Sequence, residues 1–160
     1  MNPTPSEPFA LDDIPDFKTP ESYEQYAINV ERHSPEKATE ARRRAVMLRA
    51  KQEGAETDVE RECLEAVFAY EWTLFRKHGK RQRASYTWRA IREHGIVVAA
   101  ERAVLRAKET AGFQALAAEG MLHMAFEAVI TRHPEHFSSE AVSHAQARVR
   151  EWESGNQPQA

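Results

Sequence analysis

Apolar positions recur along this chain at helical spacing. Tyr23, Tyr26, Ala27 and Val30 fall at i, i+3, i+4 and i+7, one face of a helix. Thr19 followed by Pro20 reads as an N-cap and a first helical position. Ser34 and Pro35 stop that helix and start the next by the same logic. There Ala38, Ala41, Ala45 and Leu48 form a narrow stripe, and Gly54 suits the closing left-handed residue. Thr57 and Glu60 make a capping box for a third helix. Val59, Cys63, Leu64, Val67, Phe68, Tyr70, Trp72, Leu74 and Phe75 cover most of its circumference, so it is expected at the core. His78 and Gly79 end it.

Beyond it, Ser85 is placed to cap a short helix carrying Trp88 and Ile91, stopped by His94 and Gly95. Ile96, Val97, Ala100, Ala103, Val104 and Ala107 mark the next helix, broken at Thr110–Gly112. Phe113, Leu116 and Ala117 mark another, ending at Gly120. Leu122, Ala125, Phe126 and Val129 predict one more, ending at His133–Pro134. Val142, Ala145, Val149 and Trp152, behind a cap at Ser138 or Ser139, predict the last. No segment alternates as a strand does, and no fixed-period repeat is present. The expectation is all-α: a single compact bundle of about six to eight helices, with a helix-turn-helix-like corner at Gly95.

The organisation predicted is an acidic, Pro-rich arm over residues 1–18, a helical domain over 19–153 and a polar tail over 154–160. Phe9, Leu11, Ile14 and Phe17 give the arm enough apolar character to pack as a strap or to bind a partner.

Composition narrows the class. At 41% hydrophobic and 29% charged, the 160-residue chain fits a globular domain rather than a disordered one. No apolar run approaches the ~18 residues of a membrane span, and the first twenty residues carry no basic apolar leader. The lone Cys63, mid-helix among Leu64 and Val67, reads as a buried, inert thiol. A cytoplasmic location is expected, and 16 Arg against 6 Lys with 25 Ala suggests a GC-rich bacterial genome.

Net charge, −3, conceals strong segregation. Residues 1–31 sum to −6, 32–51 to +5, 53–71 to −6, 76–108 to +8 and 109–160 to −4. Within the most basic block, Arg76, Lys77, Lys80, Arg81, Arg83, Arg89 and Arg92 run without an intervening acid. Such a run repels itself unless solvent or an anionic partner relieves it. His78, Ser85, Tyr86, Thr87 and Trp88 lie among the bases, adding phosphate hydrogen-bonders and flat rings. Lys and Arg release counterions from phosphates while hydroxyls fix position, so this mixture suits nucleic acid. If the Gly95 corner acts as a helix-turn-helix, Arg102 and Arg106 would reach base edges, although Glu101 sits where a buried apolar residue is wanted. The plain alternative is a solvated face paired with the acidic first and third helices. The second basic run, Arg42, Arg43, Arg44, Arg49 and Lys51, fans round its helix, so at least one of its arginines should pair internally.

His123 and Glu127 at i and i+4, with His133 and His136 downstream, are the nearest approach to a metal cluster. The His-Glu-x-x-His spacing is absent, and core packing with helix termination accounts for these residues; no metal or cofactor is expected. No Gly-rich phosphate loop or G-x-S-x-G elbow points to catalysis. The function expected is therefore non-enzymatic: DNA binding, or accessory action in a nucleoprotein. Phosphate contact would fall to the seven bases, Ser85 and Thr87, and base reading to Arg102 or Arg106. The competing expectation is a protein-interaction module, a regulator or inhibitor docking through the acidic arm or the basic face. A homodimer is compatible with either, and no membrane partner is expected.

Overall fold

A computed structural model describes residues 11–106 and 111–155. Eight α-helices and three short 3-10 turns make up the regular structure, with no strand among the described residues, so the expected all-α class holds. Contacts divide the chain between Gln52 and Glu53 into two compact units.

The first unit is a helical pair, α1 (Pro20–Val30) and α2 (Pro35–Gln52). Thr19 caps α1, its hydroxyl accepting from the Ser22 N–H at 3.2 Å. The alanine stripe explains the packing. Ala38 and Ala41 are fully buried and Ala45 nearly so, and their small side chains admit Tyr23 and Ala27 of α1 against the α2 backbone. Leu11–Phe17 then crosses the pair as a strap. Ile14 is buried in the same core, and Phe17 lies edge-on to Tyr23 at 5.1 Å. Arg44 fixes the start of the strap by donating from Nη2 to the Leu11 carbonyl at 3.1 Å.

The second unit is organised by α3 (Asp58–His78), which packs against α5 (Ile96–Arg106), α6 (Ala111–Ala118) and α7 (Phe126–Arg132). Thr57 caps α3 as the sequence predicts, accepting from Glu60 N–H. In the reciprocal bond the Glu60 carboxylate accepts from one residue further back, the Glu56 N–H, at 3.1 Å. Val59 and Cys63 pack with Ala100 and Val129 in one cluster. Val104, Ile130 and Ala145 form a second cluster beneath α8 (Ser139–Gly155), and Phe126 and Phe137 join both. Ser138 caps α8, accepting from Ala141 N–H.

Three local expectations are corrected. The segment from Leu122 to Val129 is not one helix. A 3-10 turn covers Leu122–Met124, Ala125 is extended at φ −71°, ψ 155°, and α7 starts only at Phe126. Gly112 lies inside α6 rather than at a break. Ser85 does not cap α4 (Ser85–His94): it is the first helical residue, and the N-cap is Ala84, whose methyl side chain cannot accept a hydrogen bond. Pro3, Pro5, Pro8 and Phe9 of the arm, Ala107, Lys108, Thr110 and tail residues 156–160 lie outside the described residues.

Candidate nucleic-acid interface

The basic segment spans three kinds of backbone. Arg76 and Lys77 occupy the last turn of α3, where cations suit the helix dipole. Gly79, at φ 71°, closes that helix with its N–H on the Phe75 carbonyl at 2.8 Å. Lys80, Arg81 and Arg83 lie in the loop that follows. Ser85, Thr87, Arg89 and Arg92 lie on α4. All seven bases and Ser85 are exposed, while Thr87 is half-buried.

One acid organises this region. Glu71, two turns before the end of α3, accepts from Ala84 N–H at 2.7 Å and from Trp88 Nε1–H at 2.9 Å. The carboxylate thus holds the start of α4 in place of a side-chain cap and ties the loop 79–84 into a closed lasso. Trp88 is buried and packs on Phe68 with ring centroids 5.4 Å apart. It is a core residue and not a stacking platform. Tyr86, by contrast, is 78% exposed beside the bases.

Aromatic rings position three of the arginines. The Arg76 guanidinium lies 5.5 Å from the Trp72 ring centroid, Arg81 lies 5.2 Å from Phe75, and Arg83 lies 4.7 Å from Trp88. At such distances a ring face attracts a cation, yet the ring brings no negative charge of its own. Arg76 is 3.8 Å from Glu119 and Arg89 is 3.5 Å from Glu93, both long ion pairs open to solvent. Lys77, Lys80 and Arg92 make no ion pair or hydrogen bond among the described residues.

The run at 42–49 behaves oppositely. Arg42 meets Glu31 at 2.9 Å. Arg43 grips Glu40 through two bonds of 2.8 Å, and Arg44 reaches the same carboxylate at 3.2 Å. Arg49 meets Glu24 at 2.9 Å and Glu21 at 3.3 Å. Hydrogen bonds from Arg43 hold the Glu40 carboxyl below its ordinary value of 4.5, against the opposing effect of partial burial. This run serves the cohesion of the first unit.

The Gly95 corner joins α4 to α5 through a single residue, shorter than the three or four of a helix-turn-helix. Arg102 is exposed, and its Nη1 is 3.1 Å from His94 Nε2 at the end of α4. Arg106 is exposed in the last turn of α5 and makes no hydrogen bond or ion pair with the described residues of the basic segment. Glu101, out of place in a reading helix, accepts from Ser138 N–H at 2.6 Å and so ties α5 to the start of α8.

The histidine cluster is dispersed by the break at Ala125. His123 is exposed, and its carbonyl accepts from Arg132 Nη1. Glu127 is fully buried, 3.4 Å from Arg148 Nη1 of α8. His133 bonds through Nε2 to Glu62, which also receives Arg132 Nε at 2.9 Å. Burial raises the Glu62 carboxyl, but the His133 hydrogen bond and the Arg132 charge outweigh it and the net shift is downward. Among the described residues no three His, Cys, Asp or Glu side chains are grouped to hold a metal ion. Cys63 is fully buried, and burial pushes its thiol up to about 12. No helix of the described residues is long and apolar enough to cross a membrane.

No family model matches the sequence, and no curated protein or solved structure matches the chain.

Proposed function

We propose that this chain is a non-enzymatic nucleic-acid-binding or nucleoprotein-accessory protein, with residues 76–92 as its phosphate-contacting surface. The observation that supports this most is the contrast between the two basic runs. Arg42, Arg43, Arg44 and Arg49 are matched by acids of their own unit. The bases from Arg76 to Arg92 are all exposed, on a segment held by aromatic rings and by a lasso closed at Glu71. Exposed like charges repel, and a polyanion relieves that repulsion while releasing its counterions. Ser85 and the half-buried Thr87 add hydroxyls at the first turn of α4, and exposed Tyr86 adds a ring. Arg102 is engaged by His94, and the reading rests on backbone contact and assigns no base-reading residue.

Titration of duplex DNA across a salt series tests it. Replacing Lys80, Arg81 and Arg83 together by Ala should weaken binding. It should also flatten the slope of log affinity against log salt by about 0.9 for each phosphate no longer neutralised. Absence of binding at low salt, or an unchanged slope in the triple variant, overturns the proposal. Capture of an acidic protein by the same surface, without DNA binding, would favour the protein-interaction reading instead.

A further inference from the structure

Beneath the basic segment lies a cavity of about 430 Å³. That lies within the ~300–1,000 Å³ of small-molecule sites. Its floor and walls are apolar: Val67 and Leu74 of α3, Phe113 and Leu116 of α6, and Phe126 of α7. Phe113 and Leu116 are almost wholly buried, so the floor is formed core and not a surface dimple. Most polar groups come from one contiguous segment, where Gln82, Arg83, Ser85, Tyr86 and Thr87 line the space, and Tyr70 of α3 adds a hydroxyl. Among the described residues lining the cavity, Arg83 carries the sole charge, and no Asp or Glu lines it.

The state of Arg83 decides what chemistry suits this space. Its guanidinium is fixed over the Trp88 ring, and it has no carboxylate within ion-pair distance among the described residues. The planar N–H fork is therefore pre-positioned at the polar side of an apolar chamber, with its charge unmatched. A neutral apolar molecule would leave that charge as it is. A cation would be repelled by it. A polyanionic backbone could meet Arg83 from solvent but would gain nothing from Val67, Leu74 or Leu116. A ligand with one carboxylate and a single apolar body satisfies both parts, since a guanidinium binds a carboxylate through two parallel N–H···O bonds. Ser85 and Thr87 also line the cavity and add hydroxyls for the head group.

We infer that this cavity is a binding site for an amphipathic monocarboxylate, its apolar body between α3 and α6 and its carboxylate on Arg83. The site shares Arg83, Ser85 and Thr87 with the phosphate-contacting surface, but its apolar walls take no part in phosphate contact and its test contains no nucleic acid, so either reading can fail without the other.

Decanoate is the probe, with decanol as the neutral comparison, each titrated calorimetrically into the full chain. Decanoate should saturate a single site and bind more tightly than decanol. Arg83→Gln removes the charge but keeps hydrogen-bonding capacity. It should weaken decanoate by about tenfold, one charge-assisted pair, and leave decanol unchanged. Ala103→Phe places a ring in the cavity and should abolish binding of both, with helical content by circular dichroism verifying that the variant folds. If Ala103→Phe does not fold, the Arg83→Gln comparison decides. Absence of saturable decanoate binding at about 1 mM, the lower end of measurable affinity, overturns the proposal. So does equal affinity for decanol, or decanoate binding that Arg83→Gln leaves intact.

Discussion

Glu71 is the residue on which the candidate interface turns. It bears a charge opposite to the segment it serves, and it acts through geometry rather than neutralisation, receiving one backbone and one indole N–H. Glu71→Gln keeps one acceptor oxygen but loses the charge from two bonds. The expected cost is about 1–2 kcal/mol, read as a lower urea midpoint by circular dichroism. No spacing rule exposes such a residue, because its partners are 13 and 17 positions away. Sequence did reveal the bases, whose exposure follows from the cost of burying charge. It misassigned Ser85, since a hydroxyl one residue late is indistinguishable by composition from one at the N-cap.

Helix starts and stops with local causes were legible. Thr19, Thr57 and Ser138 cap where a hydroxyl precedes an apolar period. Gly79 ends α3 in a left-handed conformation, and a Cβ built there meets nothing within 4 Å. Gly79→Ala therefore meets only backbone strain, an expected loss of about 1 kcal/mol measurable by urea unfolding, with no change in packing. The break at Ala125 was not legible. Leu122, Ala125, Phe126 and Val129 keep helical spacing through it, and the burial of Met124 and Ala125 at the break depends on tertiary neighbours that spacing does not encode. The cavity was invisible for the same reason: α3, α6, α7 and the start of α4 each contribute residues far apart in sequence.

Across the whole molecule, the near-neutral total arises from blocks that meet different fates. The block at 32–51 is paired within its unit, and the bases at 76–92 are presented outward. This distinction could not be read from charge order, because both runs have acids nearby in sequence. The internally paired acids give the fold an acid limit. Glu40 in the first unit and Glu62 in the second titrate below 4.5 when folded. A lowered folded value means that the stabilisation is complete above the unfolded value and is lost as pH falls through the folded one. Unfolding free energy should thus decline below about pH 4.5, and Glu40→Gln with Glu62→Gln should make that decline shallower, as urea titrations at about pH 3 to 7 would show. An unchanged profile would mean that these pairs do not govern acid stability.

Trp88 is buried under the basic segment, with its indole N–H on Glu71 and the Arg83 guanidinium over its ring face. The emission of an indole responds to charge placed along its long axis and above its plane. An anion drawn to Arg83 alters that field without touching the ring. With Trp72 and Trp152 replaced by phenylalanine, the chain would carry its own optical gauge of occupancy. A phosphate backbone and a carboxylate drawn to Arg83 would then be read through the same side chain.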